Sequence, residues 1–168
     1  MAKRTGFSLV EVLISTLLVG VLLVSALRSV GAVVRHRNAF DERTQAFALA
    51  NGLVSEILEK SYEDPESPGG IGIESGEDLT QRNTFDDVDD YAGWTSQPPV
   101  DRFGATMPNA GAFRRSVSVM SVSPTDVSQQ VANDQGMKRI RVTVSVNNVE
   151  FAAIDVLRTQ ANDEMRVQ

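Results

Sequence analysis

The sequence predicts an α+β protein: one long N-terminal helix packed on a small antiparallel sheet. Three observations carry this reading. No proline occurs before Pro65, so nothing interrupts a helix from Phe7 to about Glu59. Apolar residues in the second half of that stretch recur at helical spacing. The last third of the chain instead alternates apolar and polar residues with a period of two.

The helix begins after a basic leader. Lys3 and Arg4 precede Gly6, and an apolar run then extends from Phe7 to Leu27. As a helix these residues cover about 31 Å, the thickness of a bilayer's hydrocarbon core. Further along, Val33, Phe40, Phe47 and Val54 recur every seven residues. Val30, Ala50, Leu53, Ile57 and Leu58 lie near the same face, and such a stripe needs a partner surface. Gly31 and Gly52 each weaken the helix by about 1 kcal/mol, and a bend near either is expected. Asp64-Pro65 and Pro68-Gly69-Gly70 end it.

Residues 61–112 hold most of the prolines and glycines and read as an irregular acidic loop region. Strand patterns follow in Phe113–Val122, Arg139–Val146 and Val149–Leu157. Asn147-Asn148 offers the positive φ angles of a two-residue hairpin turn. The apolar face of this sheet is the natural partner of the helix stripe. Five segments result: a leader at 1–6, a membrane or core helix at 7–28, its amphipathic continuation at 29–60, the loop region at 61–112, and the sheet with a polar tail at 113–168.

Composition excludes several functions. The 168-residue chain carries a net charge of −6, which opposes a phosphate-binding surface and argues against nucleic acid as a partner. A small basic group, Arg114, Arg115, Lys138, Arg139 and Arg141, keeps a DNA-uptake role as an alternative. No cysteine is present, and His36 is the single histidine, so thiolate and multi-histidine metal sites are ruled out; no Ser/His/Asp triad is expected around a histidine set between Arg35 and Arg37. No phosphate loop or dinucleotide fingerprint occurs, and an enzyme is not expected. Asp86, Asp87, Asp89 and Asp90 offer oxygen ligands for calcium, but their spacing departs from the calcium-loop pattern. A solvated acidic loop is the favoured reading, and no cofactor is expected. The lone Trp94, beside Gln97-Pro98-Pro99, is read as a plug of the loop onto the sheet rather than a partner contact.

Glu11 is the telling residue. A carboxylate inside a membrane segment is costly and points to function. No Lys or Arg lies between Arg4 and Arg28 to pair with it. Cleavage after Gly6 would free the α-amino group of Phe7 as a cation four residues away, about one helical turn. Neither a secretory signal peptide nor a plain signal anchor accounts for this carboxylate.

The run Gly6-Phe7-Ser8-Leu9-Val10-Glu11-Val12-Leu13-Ile14 resembles the prepilin cleavage motif of type IV pilins and type II secretion pseudopilins. The resemblance implies that a membrane peptidase cuts after Gly6 and N-methylates Phe7, and that Glu11 serves subunit assembly. It also implies the pilin-like fold, a single pass through the bacterial inner membrane with a periplasmic C-terminal domain, and later entry into a periplasmic or surface filament. The partners implied are other pilin or pseudopilin subunits, the prepilin peptidase and an inner-membrane assembly platform. Arg28, Arg35 and Arg37 after the span run against a cytoplasmic N-terminus by charge count, whereas the motif requires one. The segment Ala46–Leu53 and the strands near Arg114 and Lys138 resemble minor pseudopilins and minor pilins. The alternative from another class is an uncleaved, membrane-anchored periplasmic binding or adaptor protein.

Overall fold

A computed structural model describes residues 6, 8–64, 71–73, 77–78 and 80–161, with the backbone alone at 34–39. The chain divides into two units, Met1–Glu42 and Arg43–Gln168. One helix, α1, runs Leu9–Leu58 and continues unbroken through Gly31 and Gly52.

In the first unit α1 is predominantly apolar from Leu9 to Val33, where Glu11 and Arg28 are the charged residues. An 18-residue window within Leu9–Val33 has a mean hydropathy of 2.4, and none of that window is buried. The 25 residues of Leu9–Val33 extend about 37 Å, long enough to cross a bilayer. Three hydroxyls in this stretch bond back to the helix's own carbonyls: Thr16 to Leu13, Ser25 to Val21 and Ser29 to Ser25. A hydroxyl satisfied in this way is tolerated in an apolar solvent, where an unpaired one is expensive.

In the second unit five strands form an antiparallel sheet: β1 (Thr95–Ser96), β2 (Phe113–Ser123), β3 (Asp126–Gln130), β4 (Met137–Val146) and β5 (Val149–Thr159). The order is β1-β2-β4-β5, with β3 pairing the far end of β2. β4 and β5 join through Asn147 and Asn148, whose φ angles of 49° and 63° make the expected turn. A bulge between Val144 and Ser145 shifts their register.

Ala46, Leu49, Ala50, Leu53 and Ile57 of α1 share one buried cluster with Phe113, Val117, Val119, Ile140, Val142 and Val144 of the sheet. The helix therefore packs on the sheet as its periodicity predicts, but on a face rotated from the seven-residue stripe. Phe40 and Phe47 are exposed, Val33 is too, and of that set Val54 alone is buried. The reason is geometric. A strict seven-residue repeat drifts about 20° per repeat around a straight helix. The 46/49/50/53/57 set follows the true 3.6 period, and it is this set that meets the strands.

The loop region also departs from expectation. It is largely irregular, yet Tyr62, Phe85, Val88, Tyr91 and Trp94 are all buried. Phe85 and Tyr91 meet edge-on at 5.0 Å. Trp94 is 2% exposed, the plug anticipated; its carbonyl accepts the Val117 N–H, and the Gly93 N–H donates to the Val117 carbonyl. The polar tail beyond residue 161 lies outside the described residues.

Leu53 is fully buried between helix and sheet. Truncating Leu53→Ala should cost about 2–5 kcal/mol, whereas Phe47→Ala on the exposed face should cost well under 1 kcal/mol, about the ±0.5 typical of surface changes. Thermal unfolding of the full chain in detergent, followed by circular dichroism, checks this ranking.

Candidate functional site

The N-terminal motif begins at the helix start. Gly6 and Ser8 precede α1, and the Ser8 carbonyl accepts the N–H groups of Glu11 (3.0 Å) and Val12 (3.2 Å). Glu11 thus sits in the first helical turn, where the exposed N–H groups favour a negative charge. It is exposed, and the other charged residue in Leu9–Val33 is Arg28, far along the segment. A single carboxylate near one end of an otherwise apolar span is what the sequence placed there. Lys3, Arg4 and Phe7 lie outside the described residues.

The acidic quartet is split into separate duties. Asp90 Oδ2 accepts the backbone N–H groups of Asp86 (2.9 Å) and Asp87 (3.0 Å). Asp87 Oδ1 accepts those of Asp89 (2.5 Å) and Asp90 (3.2 Å). These reciprocal bonds build the 3₁₀ turn Asp89–Tyr91. Burial, then the charges of Asp90 and Asp89, push the Asp87 carboxyl up to about 7, against the lowering effect of the two N–H donors. Asp89 turns the other way, toward β4, and its Oδ2 lies 2.6 Å from Lys138 Nζ. Asp87, Asp89 and Asp90 are buried, so the quartet is not a solvated acidic loop. Oxygen atoms of Glu77, Asp86 and Asp90 come within 4.8 Å of one another, a grouping that includes Glu77, which the sequence pattern did not single out.

Lys138 is enclosed. Besides Asp89, its ammonium donates to the Tyr62 carbonyl (2.7 Å), lies 4.1 Å from the centre of the Tyr62 ring, and stands 3.7 Å from Asp134. The Tyr62 hydroxyl donates to Asp134 at 2.8 Å. A second buried pair joins the loop to the helix: Arg82 grips Glu56 through two bonds of 2.8 and 3.1 Å. Tyr91 donates its hydroxyl to the same carboxylate at 3.1 Å. Burial, then the Glu56 charge, raises the Tyr91 phenol well above its ordinary value.

The inward placement of two buried cations is legible in strand parity. Arg115 shares the inward phase of β2 with Phe113, Val117 and Val119, and Lys138 shares that of β4 with Ile140, Val142 and Val144. Strand parity therefore marks both as inward-facing. The same fact dissolves the basic patch. Arg115 and Lys138 are buried, Arg114 bonds Gln97, and Arg141 pairs with Asp155 at 2.9 Å.

Residues 1–27 match the family model described as the prokaryotic N-terminal methylation motif, a motif characteristic of type IV pilin-like proteins. That motif family is structural rather than catalytic, and with the apolar helix it supports membrane anchoring. No curated protein and no solved structure matches the chain.

Lys138→Met would strand a buried Asp89 charge, and a loss of about 3–5 kcal/mol is expected. The double variant Lys138→Met/Asp89→Leu should recover part of it, because no lone charge remains. Chemical unfolding of the full chain in detergent measures both.

Proposed function

We propose that this chain is a minor pilin or pseudopilin, cut after Gly6 by a prepilin peptidase, N-methylated at Phe7 and assembled into a type IV pilus-like or type II secretion filament. One coincidence carries the reading. The methylation motif ends in a helix able to cross a membrane, and the one carboxylate of that span lies a turn from the cleavage position.

Leu9–Val33 first anchors the precursor in the inner membrane, with the C-terminal domain in the periplasm. During assembly the same segment leaves lipid for the apolar core of a filament. Both surroundings are poor solvents for charge. The new α-amino group of Phe7, on this or a neighbouring subunit, neutralises Glu11 there, so neither charge is buried alone. Other subunits, the peptidase and an inner-membrane assembly platform are the partners. The absence of cysteine removes the disulfide-closed loop of many major pilins and favours a minor subunit. Calcium at Glu77, Asp86 and Asp90 is a separate proposal, and calorimetric titration with calcium alone tests it: no heat at millimolar ion ends it.

Mass and N-terminal sequence of the protein purified from its native membrane should show a chain starting at N-methylated Phe7. A start at Met1 or Ala2 would favour an anchored binding or adaptor protein, and a start near residue 28 or 32 an ordinary secreted domain. Glu11→Leu should leave membrane insertion intact while reducing incorporation into filaments at least about tenfold, the worth of one desolvated charge interaction. Normal incorporation, read by immunoblotting of sheared filaments, would remove the pairing role.

A further inference from the structure

A cleft of about 480 Å³ opens in the second unit beside α1. Ala48, Leu49 and Gly52 line it from the helix, and Phe103 and Met107 from the loop. Its size lies within the range of small-ligand and side-chain pockets. Gly52 is exposed, and a Cβ built on it would meet nothing within 4 Å, so this wall is open.

The charges around the cleft do not balance. Arg82, Arg102 and Arg115 line it, against Glu56 and Asp101. Both carboxylates are already engaged. Glu56 accepts two bonds from Arg82 and one from Tyr91. Asp101 Oδ1 accepts the N–H groups of Phe103 and Ala105, each at 2.9 Å. Arg115 is 3% exposed and donates to the Val100 carbonyl, and among the described residues it forms no ion pair. Its Nε and the Nη1 of Arg82 find no hydrogen-bond partner among the described residues. Burial, then the Arg82 charge, pushes the Arg115 guanidinium down to about 10, with Glu56 opposing. Both guanidiniums stack on Trp94, at 4.3 and 5.6 Å from its ring centre. The result is an excess positive centre inside a chain of net charge −6. A buried charge without a counter-charge is costly, and an arriving anion relieves that cost.

The rim is rigid and apolar. The turn at 101–105 is closed by Asp101 N–H to the Ala105 carbonyl at 2.8 Å and by the Asp101 side-chain bonds. Gly104 holds φ at +85°, and any Cβ there would stand 3.0 Å from the Thr80 carbonyl. This turn presents Phe103 at 66% exposure, next to Arg102. An exposed aromatic held beside arginine is the composition of a binding hot spot.

We propose that this cleft docks a segment of a partner protein in which an acidic side chain stands beside a bulky apolar one. The apolar side chain packs against Phe103, Met107 and the Ala48–Gly52 wall. The carboxylate neutralises the arginine centre. The cleft lies wholly within the second unit, so this inference holds whether or not the chain enters a filament.

Trp94 is the single tryptophan and touches both buried guanidiniums, so its fluorescence reports the site. The full chain in detergent is titrated with a capped peptide, acetyl-Gly-Ser-Phe-Glu-Ser-Gly-amide, and with its Phe-Gln counterpart. The acidic peptide should shift Trp94 emission saturably, and the glutamine peptide should bind at least about tenfold more weakly. Arg102→Gln and Gly52→Leu, both at exposed positions, should keep the unfolding temperature and lose the acidic peptide about tenfold or more. Equal binding of the two peptides, no response to either, or undiminished binding by folded Gly52→Leu would overturn the proposal. Saturation by 3-phenylpropionate with no response to the capped acidic peptide would also overturn it, in favour of a small free carboxylate.

Discussion

The second unit is organised around burying cations. Arg115 on β2, Lys138 on β4 and Arg158 on β5 all stand on inward strand phases and are almost fully enclosed. Such groups are tolerated only when carboxylates or carbonyls come to them. The sheet cannot supply those partners from its own apolar face. They arrive from the helix end and the loop: Asp89 and the Tyr62 carbonyl reach Lys138, the Lys60 carbonyl reaches Arg158, and the Val100 carbonyl reaches Arg115. A loop rich in acid, proline and glycine is thereby fixed on the core instead of being left in solvent.

The helix obeys two solvents in succession. From Leu9 to Val33 apolar side chains dominate every face, and the hydroxyls of Thr16, Ser25 and Ser29 return to their own backbone. From Ala46 to Ile57 one face is buried against strands, and Glu56 on its flank holds Arg82. An isolated carboxylate suits the first turn of the first part, where the exposed N–H groups of the helix N-terminus favour negative charge. In the second part a carboxylate is tolerated because Arg82 and the Tyr91 hydroxyl satisfy it. Glu56 illustrates the rule that charge enters a low-dielectric setting with a partner in reach.

Much was legible in the sequence by itself. The apolar run, the placement of Glu11 and the glycine before Phe7 are local features, and they determined the membrane-capable helix and the methylation motif. Period-two patterns and Asn147-Asn148 determined the three long strands and the hairpin, because alternation and positive φ are local demands. Tertiary structure decided which helix face is covered, since that depends on where the strands lie and not on the repeat alone. It also decided the fate of the acids. Asp87 and Asp90 brace a local turn and Glu77 comes near Asp86, while Asp89 is a partner of Lys138 only because chain segments far apart in sequence meet. Pairing between charges distant in sequence leaves no periodic trace, so it becomes visible only when folding brings the partners within a few ångströms.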